Sequence, residues 1–285
     1  MRETPITSAD SRTPPGARLP DLRIVPSASL LLHEECDPGR VERLARVLIA
    51  DGVLRNPPVV AQLDRGAYVV LDGANRVTAL QQAELPDQLV QVVDYADPAV
   101  SLEVWAHLLQ DDGVLIKSEG PSFLAWRPMP EETMRDGLED GGLACGVLGA
   151  DGAFGLPSGA GLADRLRDLC GVVIRYKGRV PIFRVQNSDL GDLAREYGRA
   201  AALVLFPRFT KQDIRAIARL PVKLPTGISR HVIPQRALRV NLDLALLRAD
   251  QPTTEKQALL DALVRARLLD HRVRHYPEPT VLYDE

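Results

Sequence analysis

The chain has 285 residues, of which 45% are hydrophobic and 26% charged, a composition that suits a globular protein with a sizeable core and excludes disordered or fibrous classes. Lys and Arg number 35 against 38 Asp and Glu, a formal charge of −3, so no basic excess marks a dedicated nucleic-acid binder. The longest apolar run, 200–206, falls far short of the roughly 20 residues that span a bilayer, and Cys36, Cys145 and Cys170 are too scattered for a disulfide framework or a zinc pattern.

Residues 1–20, rich in Thr, Ser and Pro without an apolar period, read as a mobile tail. Leu22 to Leu32 alternates loosely and is expected to enter a sheet. Asp37-Pro38 supplies an N-cap followed by proline at the first helical position. Val41, Leu44 and Leu48 then keep helical spacing, and Gly52 stands where a helix-ending glycine belongs. The runs 58–63 and 67–71, separated by Asp64-Arg65-Gly66, read as a hairpin. Asp72-Gly73 ends its second strand, and Asn75 to Ala83 suits a helix. Leu89 to Tyr95 reads as a strand, and Val100, Val104 and Leu108 as the apolar side of a helix that carries Trp105 and His107.

Glycines crowd 137–161 without the Gly-Lys-Ser/Thr of a phosphate loop. This stretch reads as hairpin turns around Ala150-Asp151-Gly152 and as the passage into a second unit. Beyond it come a helix at 162–169, strands at 172–176 and 181–185, a helix at 189–197 and a buried strand at 200–206. Thr210 caps the next helix, with Asp213 in its first turn, and a final helix covers 254–270.

Three segments hold residues suited to chemistry. His33-Glu34-Glu35 puts two carboxylates beside an imidazole, which suits a general base; it also suits a solvated loop whose acids favour the next helix N-terminus. Val69 to Arg76 runs a strand through Asp72-Gly73 into a helix start. Backbone N–H groups and the Arg76 fork can hold an anion there, and the same residues serve a tight turn with a surface ion pair. Thr226 to Arg236 gathers Ser229, Arg230, His231 and Arg236 in what reads as a loop between helices, suited to a phosphate or carboxylate or to a plain surface loop.

Taken together and in order, His33-Glu34, an arginine-bearing helix, Asp72-Gly73-Ala74-Asn75-Arg76 after a hairpin, and Ser229-Arg230-His231 to Arg236 ahead of Leu242–Leu247 resemble the free L-serine kinases of the ParB/sulfiredoxin-like superfamily. The likeness is greatest to the type that serves the staphyloferrin B siderophore pathway, and it runs from about Leu22 onward. Beyond the disordered tail read at 1–20, it implies an α+β fold: a ParB/sulfiredoxin-like nucleotide-binding domain at 21–136, and a C-terminal α+β domain at 137–285 that completes an active-site cleft. The scattered cysteines and short apolar runs add the expectation of a cytoplasmic enzyme without a membrane segment. The phosphoryl donor would be ATP or ADP with Mg²⁺, and the acceptor free L-serine or a similar small amino acid, giving O-phospho-L-serine.

By the same resemblance, Glu34 is the general base and Asp72 stands beside the phosphates and the metal. Gly73, Ala74, Asn75 and Arg76, with Arg230 and His231, hold the nucleotide's phosphates. Trp105, Ser229, His231 and Arg236 surround the substrate, and Ser101 and His107 fit the same pattern. Archaeal members often read Asp-Gly-His-His-Arg, so this chain lacks both histidines that could touch phosphate, while Asn75 retains hydrogen-bonding capacity. Sulfiredoxins carry a reactive cysteine where this chain has Ala74, which sets sulfinic-acid reduction aside. ParB proteins bind CTP through Gly-Glu-Arg-Arg, and the matching stretch here is Gly73-Ala-Asn-Arg76. The alternative is a non-catalytic, nucleotide-responsive regulator that binds DNA. Residues 207–220 offer a single capped helix, too little for a helix-turn-helix.

Overall fold

The computed structural model describes residues 19–111 and 126–276, so the tail expected at 1–20 lies almost wholly outside the described residues. The chain is a mixture of helices and strands that divides into two units, each assembled from separated stretches. Unit one takes the chain up to Leu30, Pro38–Asp94 and the part from Ile233 on; unit two takes Leu31–Asp37 and Tyr95–Val232. The border expected near residue 136 is therefore not where the units part. Residues 95–111 belong with the later chain because their second strand is paired on both sides by later strands.

The elements before residue 94 are β1 (Asp21–Pro26), β2 (Leu30–Leu32), α1 (Pro38–Asp51), β3 (Val53–Leu54), β4 (Val59–Asp64), β5 (Ala67–Asp72), α2 (Ala74–Gln82) and β6 (Asp87–Val93). Unit two then supplies β7 (Ser101–Val104), β8 (Ala106–Leu109), β9 (Arg127–Met129), α3 (Glu131–Glu139), β10 (Leu143–Gly149), β11 (Gly152–Pro157) and α4 (Leu162–Tyr176). It continues with β12 (Ile182–Val185), α5 (Leu190–Tyr197), β13 (Ala202–Leu205), α6 (Lys211–Ile217) and β14 (Ser229–Val232). The chain returns to unit one with β15 (Leu242–Asp243), α7 (Leu244–Arg248) and α8 (Thr253–Leu269).

In unit one the strands run β1-β6-β4-β5, with β4 and β6 parallel and the other neighbours antiparallel. Val59, Val60, Ala61, Val69, Val70, Leu89 and Val90 are all buried, the pattern of strands covered on both faces. Helices α1 and α2 pack together and bury Val41, Leu48, Val77 and Leu80. The hairpin closes through Gly66 at φ 84°, and α1 ends with the Gly52 N–H bonded to the Leu48 carbonyl at 2.9 Å. Helix α8 packs on β1. Its Gln257 side chain accepts from the Ile24 N–H at 2.8 Å and donates to the Leu22 carbonyl at 3.1 Å, pairing with the outer edge of β1 as a strand would.

Unit two is built on a six-stranded sheet in the order β12-β8-β13-β10-β11-β9. Leu108, Met134, Leu138, Leu143, Leu203 and Leu205 form part of its core. The helix expected through Val100, Val104 and Leu108 is instead β7 and β8, broken at Trp105. Every residue from Ala106 to Leu109 is buried between β12 and β13, and a run that is buried on both faces carries no period to separate strand from helix. The strand expected at 172–176 is the end of α4. Leu166, Leu169, Val172, Val173 and Tyr176 are buried at helical spacing, so tertiary burial overrides the strand preference of the paired valines. The loop expected at 224–236 contains β14, which pairs with β7 from Ser229 opposite Val104 to Val232 opposite Ser101. Asp189 caps α5, and Thr210 with Asp213 forms a complete capping box on α6. Among the described residues, no helix is long and apolar enough to cross a membrane.

Candidate active site

In unit two the segment 33–35 is clamped to residues 224–226. The Glu35 N–H donates to the Leu224 carbonyl at 2.7 Å, the Leu224 N–H donates to the His33 carbonyl at 2.9 Å, and Thr226 Oγ1 donates to the Glu35 carbonyl at 2.6 Å. This backbone pairing delivers Glu34 to Ser229, 195 positions later. The Ser229 hydroxyl and its backbone N–H, the latter at 3.2 Å, both bond the same oxygen, Oε1 of Glu34. Oε2 of Glu34 makes no hydrogen bond with the described residues. The buried His33 places Nε2 2.8 Å from Ser229 Oγ. Its ring meets His231 edge-on at 5.3 Å, and His231 Nε2 lies 2.8 Å from the Tyr95 hydroxyl. Burial pushes that phenol well above its usual range, against the pull of Arg215, so Tyr95 stays protonated.

Strand alternation sorts the rest of this segment. Ser229 and His231 share one face of β14, and Arg230 takes the other. There Arg230 pairs with Glu103 and its guanidinium lies 4.8 Å over the Trp105 indole, while Gln186 donates to the same Glu103 at 2.7 Å. Arg230 and His231, which the sequence sets side by side on phosphate, are thus separated, and Trp105 goes with Arg230.

His107 fixes the approach to Ser229. Its Nε2 lies 2.9 Å from the Gly227 carbonyl, which can only accept, so Nε2 carries the proton and Nδ1 accepts from the Tyr176 hydroxyl at 2.7 Å. Gly227 sits at φ 84° with the Arg184 guanidinium packed where a Cβ would project. Burial pulls His107 down to about 4, opposed by the Gly227 bond and aided by Arg184 and Lys177. Between that value and about 6.5, the ordinary histidine value, the unfolded chain binds the extra proton and the folded one does not. The His107 contribution is therefore complete above the unfolded value and is lost as pH falls through the window, by on the order of 3 kcal/mol. Urea unfolding between pH 4 and 8 is expected to show this slope. His107→Gln, which cannot titrate, is expected to lack that part of it.

In unit one, β5 ends at Asp72, Gly73 turns at φ 90° as the N-cap of α2, and the helix begins at Ala74. Arg76 donates through Nη2 to Asp72 Oδ2 at 3.0 Å and through Nη1 to the Asn56 carbonyl at 2.7 Å. Arg236 pairs with the same Asp72 oxygen. Its neighbours are anchored from the sheet. Buried Gln91 donates to the Gln235 carbonyl at 3.1 Å and accepts from the Ala237 N–H at 2.8 Å, and Asn56 Oδ1 accepts from the Arg239 N–H at 2.9 Å. Two guanidinium groups beside a helix N-terminus make a cradle for phosphate. The turn demands glycine at position 73, since φ is 90° and a Cβ there would stand 3.1 Å from the Pro58 side chain and 3.2 Å from Arg76 Nη2. Gln91 and Asn56 carried no signal in the sequence; their side chains anchor the backbone on either side of Arg236.

The sequence reading set Glu34 with Asp72 on one side and Ser229 with Arg236 on the other. The units group them differently: Glu34 with Ser229, and Asp72 with Arg236, because the chain passes from one unit to the other between Val232 and Ile233. Among the described residues no cluster of three or more His, Cys, Asp or Glu side chains could hold a metal ion. The Asp72 carboxylate, 38% exposed, suits Mg²⁺, which is commonly bound by one or two carboxylates together with nucleotide phosphates and water.

No protein-family model matches the chain. It is 24% identical over 261 residues to the ATP-dependent L-serine kinase SbnI of Staphylococcus aureus, an alignment covering 88% of this chain and 95% of that protein. It is 32% identical over 77 residues, 27% of this chain and 31% of the relative, to the ATP-dependent L-serine kinase of Staphylothermus marinus. Its fold is similar to that of SbnI with a C-terminal truncation from Staphylococcus aureus, with a TM-score of 0.71 at 21% identity over 86% of this chain and 96% of that one. It is similar also to a free serine kinase in complex with AMP, with a TM-score of 0.66 at 17% identity over 81% and 95% of the two chains.

Proposed function

We propose that this protein is a small-molecule kinase of the ParB/sulfiredoxin-like class. It moves a phosphoryl group from ATP or ADP to the hydroxyl of free L-serine and yields O-phospho-L-serine. The observation that carries this reading is the Glu34 carboxylate, pinned through Oε1 by Ser229 with Oε2 left to accept a proton. The full-length relative is an ATP-dependent L-serine kinase, and free serine kinases have been solved with AMP and with ADP, two of the AMP complexes with one glutamate replaced by alanine or glutamine.

The serine hydroxyl is a poor nucleophile at neutral pH, and a carboxylate in hydrogen-bond reach removes that obstacle. Glu34 takes the hydroxyl proton as the oxygen bonds to the terminal phosphorus of the nucleotide. The bond from phosphorus to the bridging oxygen breaks, and its electron pair leaves on ADP or AMP. Phosphoryl transfer otherwise needs alignment and positive charge. Arg76, Arg236 and the N–H groups opening α2 at Gly73, Ala74 and Asn75 supply both on the phosphates. Asp72 would hold Mg²⁺, which when bound neutralises charge on the phosphate oxygens. His231 faces the serine side with Glu34, while Arg230, on the opposite face of β14, stays with Glu103 and Trp105.

Phosphorus NMR of the protein with Mg²⁺, ATP or ADP and a panel of L-serine, D-serine, L-threonine and ethanolamine tests the reading. A phosphomonoester signal with L-serine is expected. Nucleotide hydrolysis alone, or no turnover with any acceptor, would refute it. Arg76→Ala is expected to raise the nucleotide KM about 10–100-fold, the loss of a charge-assisted contact, with the serine KM little changed.

A further inference from the structure

On the kinase reading above, we infer that Ser229 is a positioning residue for Glu34 and that His33 locks it in that role, in place of the substrate contact its motif suggests. The argument is a count of donors and lone pairs. A carboxylate only accepts, so the single Ser229 hydroxyl proton lies on Glu34 Oε1, beside the backbone N–H of the same residue. His33 Nε2, 2.8 Å from Ser229 Oγ, must then be the donor and fills one of the two oxygen lone pairs. Ser229 has no proton left for a substrate carboxylate or a phosphate.

His33 cannot do this work directly, because its Nε2 stands 3.9 Å from Glu34 Oε1, beyond hydrogen-bonding distance. It is 3% exposed, so water does not replace Ser229 as its partner. Ser229 is itself fixed by its place opposite Val104 in the β14–β7 pair, and the Glu34 backbone by the bonds of its neighbours to Leu224. With both backbones held, the hydroxyl sets the last torsions of the Glu34 side chain and so the direction of Oε2. Alignment of this kind acts on the chemical step, where a displacement of about 1 Å costs on the order of 100-fold.

Steady-state and single-turnover kinetics on Ser229→Ala, Ser229→Thr and Ser229→Cys test the inference, with thermal unfolding run on each to show that it folds. Ser229→Ala is expected to lower kcat about 10–100-fold while the serine KM stays within about twofold. Ser229→Thr, which keeps the hydroxyl, is expected to restore most of the loss. Ser229→Cys, with a weak donor, should fall between them and serves if the alanine variant does not fold. In a Glu34→Gln background, adding Ser229→Ala is expected to cost nothing further, because the two act as one unit. A raised serine KM with kcat intact, or fully additive losses with Glu34→Gln, would overturn the inference and leave the kinase reading standing. Absence of phosphoserine formation by the unaltered protein would instead sink the kinase reading, and this inference with it.

Discussion

Glu34→Gln is expected to lower serine phosphorylation by about 10²–10⁴-fold, the usual contribution of a general base, while the fold and nucleotide affinity stay as they are. The exchange is nearly isosteric. The amide oxygen can still accept from the Ser229 hydroxyl and N–H, so the clamp between 33–35 and 224–226 keeps its shape. The amide nitrogen then occupies the place of Oε2 and has no lone pair to receive a proton. Single-turnover phosphoserine formation, nucleotide binding by calorimetry and thermal unfolding measured side by side separate chemistry from structure. Turnover within tenfold of the parent would take Glu34 out of the base role.

Lys256→Ala is expected to destabilise the protein by about 3–5 kcal/mol, the cost of leaving one buried charge without its partner. The Lys256 ammonium lies 2.6 Å from Asp87 Oδ2 and 2.9 Å from the Leu247 carbonyl, with its side chain 1% exposed. Thr253 donates to the other Asp87 oxygen at 3.2 Å. Removing the ammonium strands both the carboxylate and the carbonyl in the interior. Replacing the pair together, Lys256→Met with Asp87→Asn, takes away the charge that was stranded and should recover most of the loss. Denaturant midpoints of the three proteins decide it; a single alanine variant within about 1 kcal/mol of the parent would show that the pair is not coupled as drawn.

The sequence was most legible where structure is local. The hairpin around Asp64-Arg65-Gly66, the start of α1 at Pro38 and its exit at Gly52, and the Thr210–Asp213 capping box each depend on residues a few positions apart, and each is found. Periodicity failed where burial is complete. Ala106–Leu109 is buried on both faces, and Val172–Val173 lies inside a helix whose partners the sequence does not reveal. The site was legible as residue types and obscure as geometry. Asp72-Gly73 with Arg76 could be read as an anion site from its own spacing, but Arg236 reaches Asp72 only because Gln91 holds the residues on either side of it. Whether Ser229 meets substrate or Glu34 depends on a bridge at Leu224 that no local pattern announces.

The order in which the pieces of unit one are synthesised has its own consequence. Everything that unit two needs has been synthesised once residue 232 is made, but β1 waits for Gln257, and Asp87 for Lys256. The nascent protein therefore carries an uncovered strand margin and an unneutralised acid through most of its synthesis. Such margins template pairing with neighbouring chains. This half therefore matures only after α8 is made, and a message cut short ahead of α8 would release a product prone to self-association.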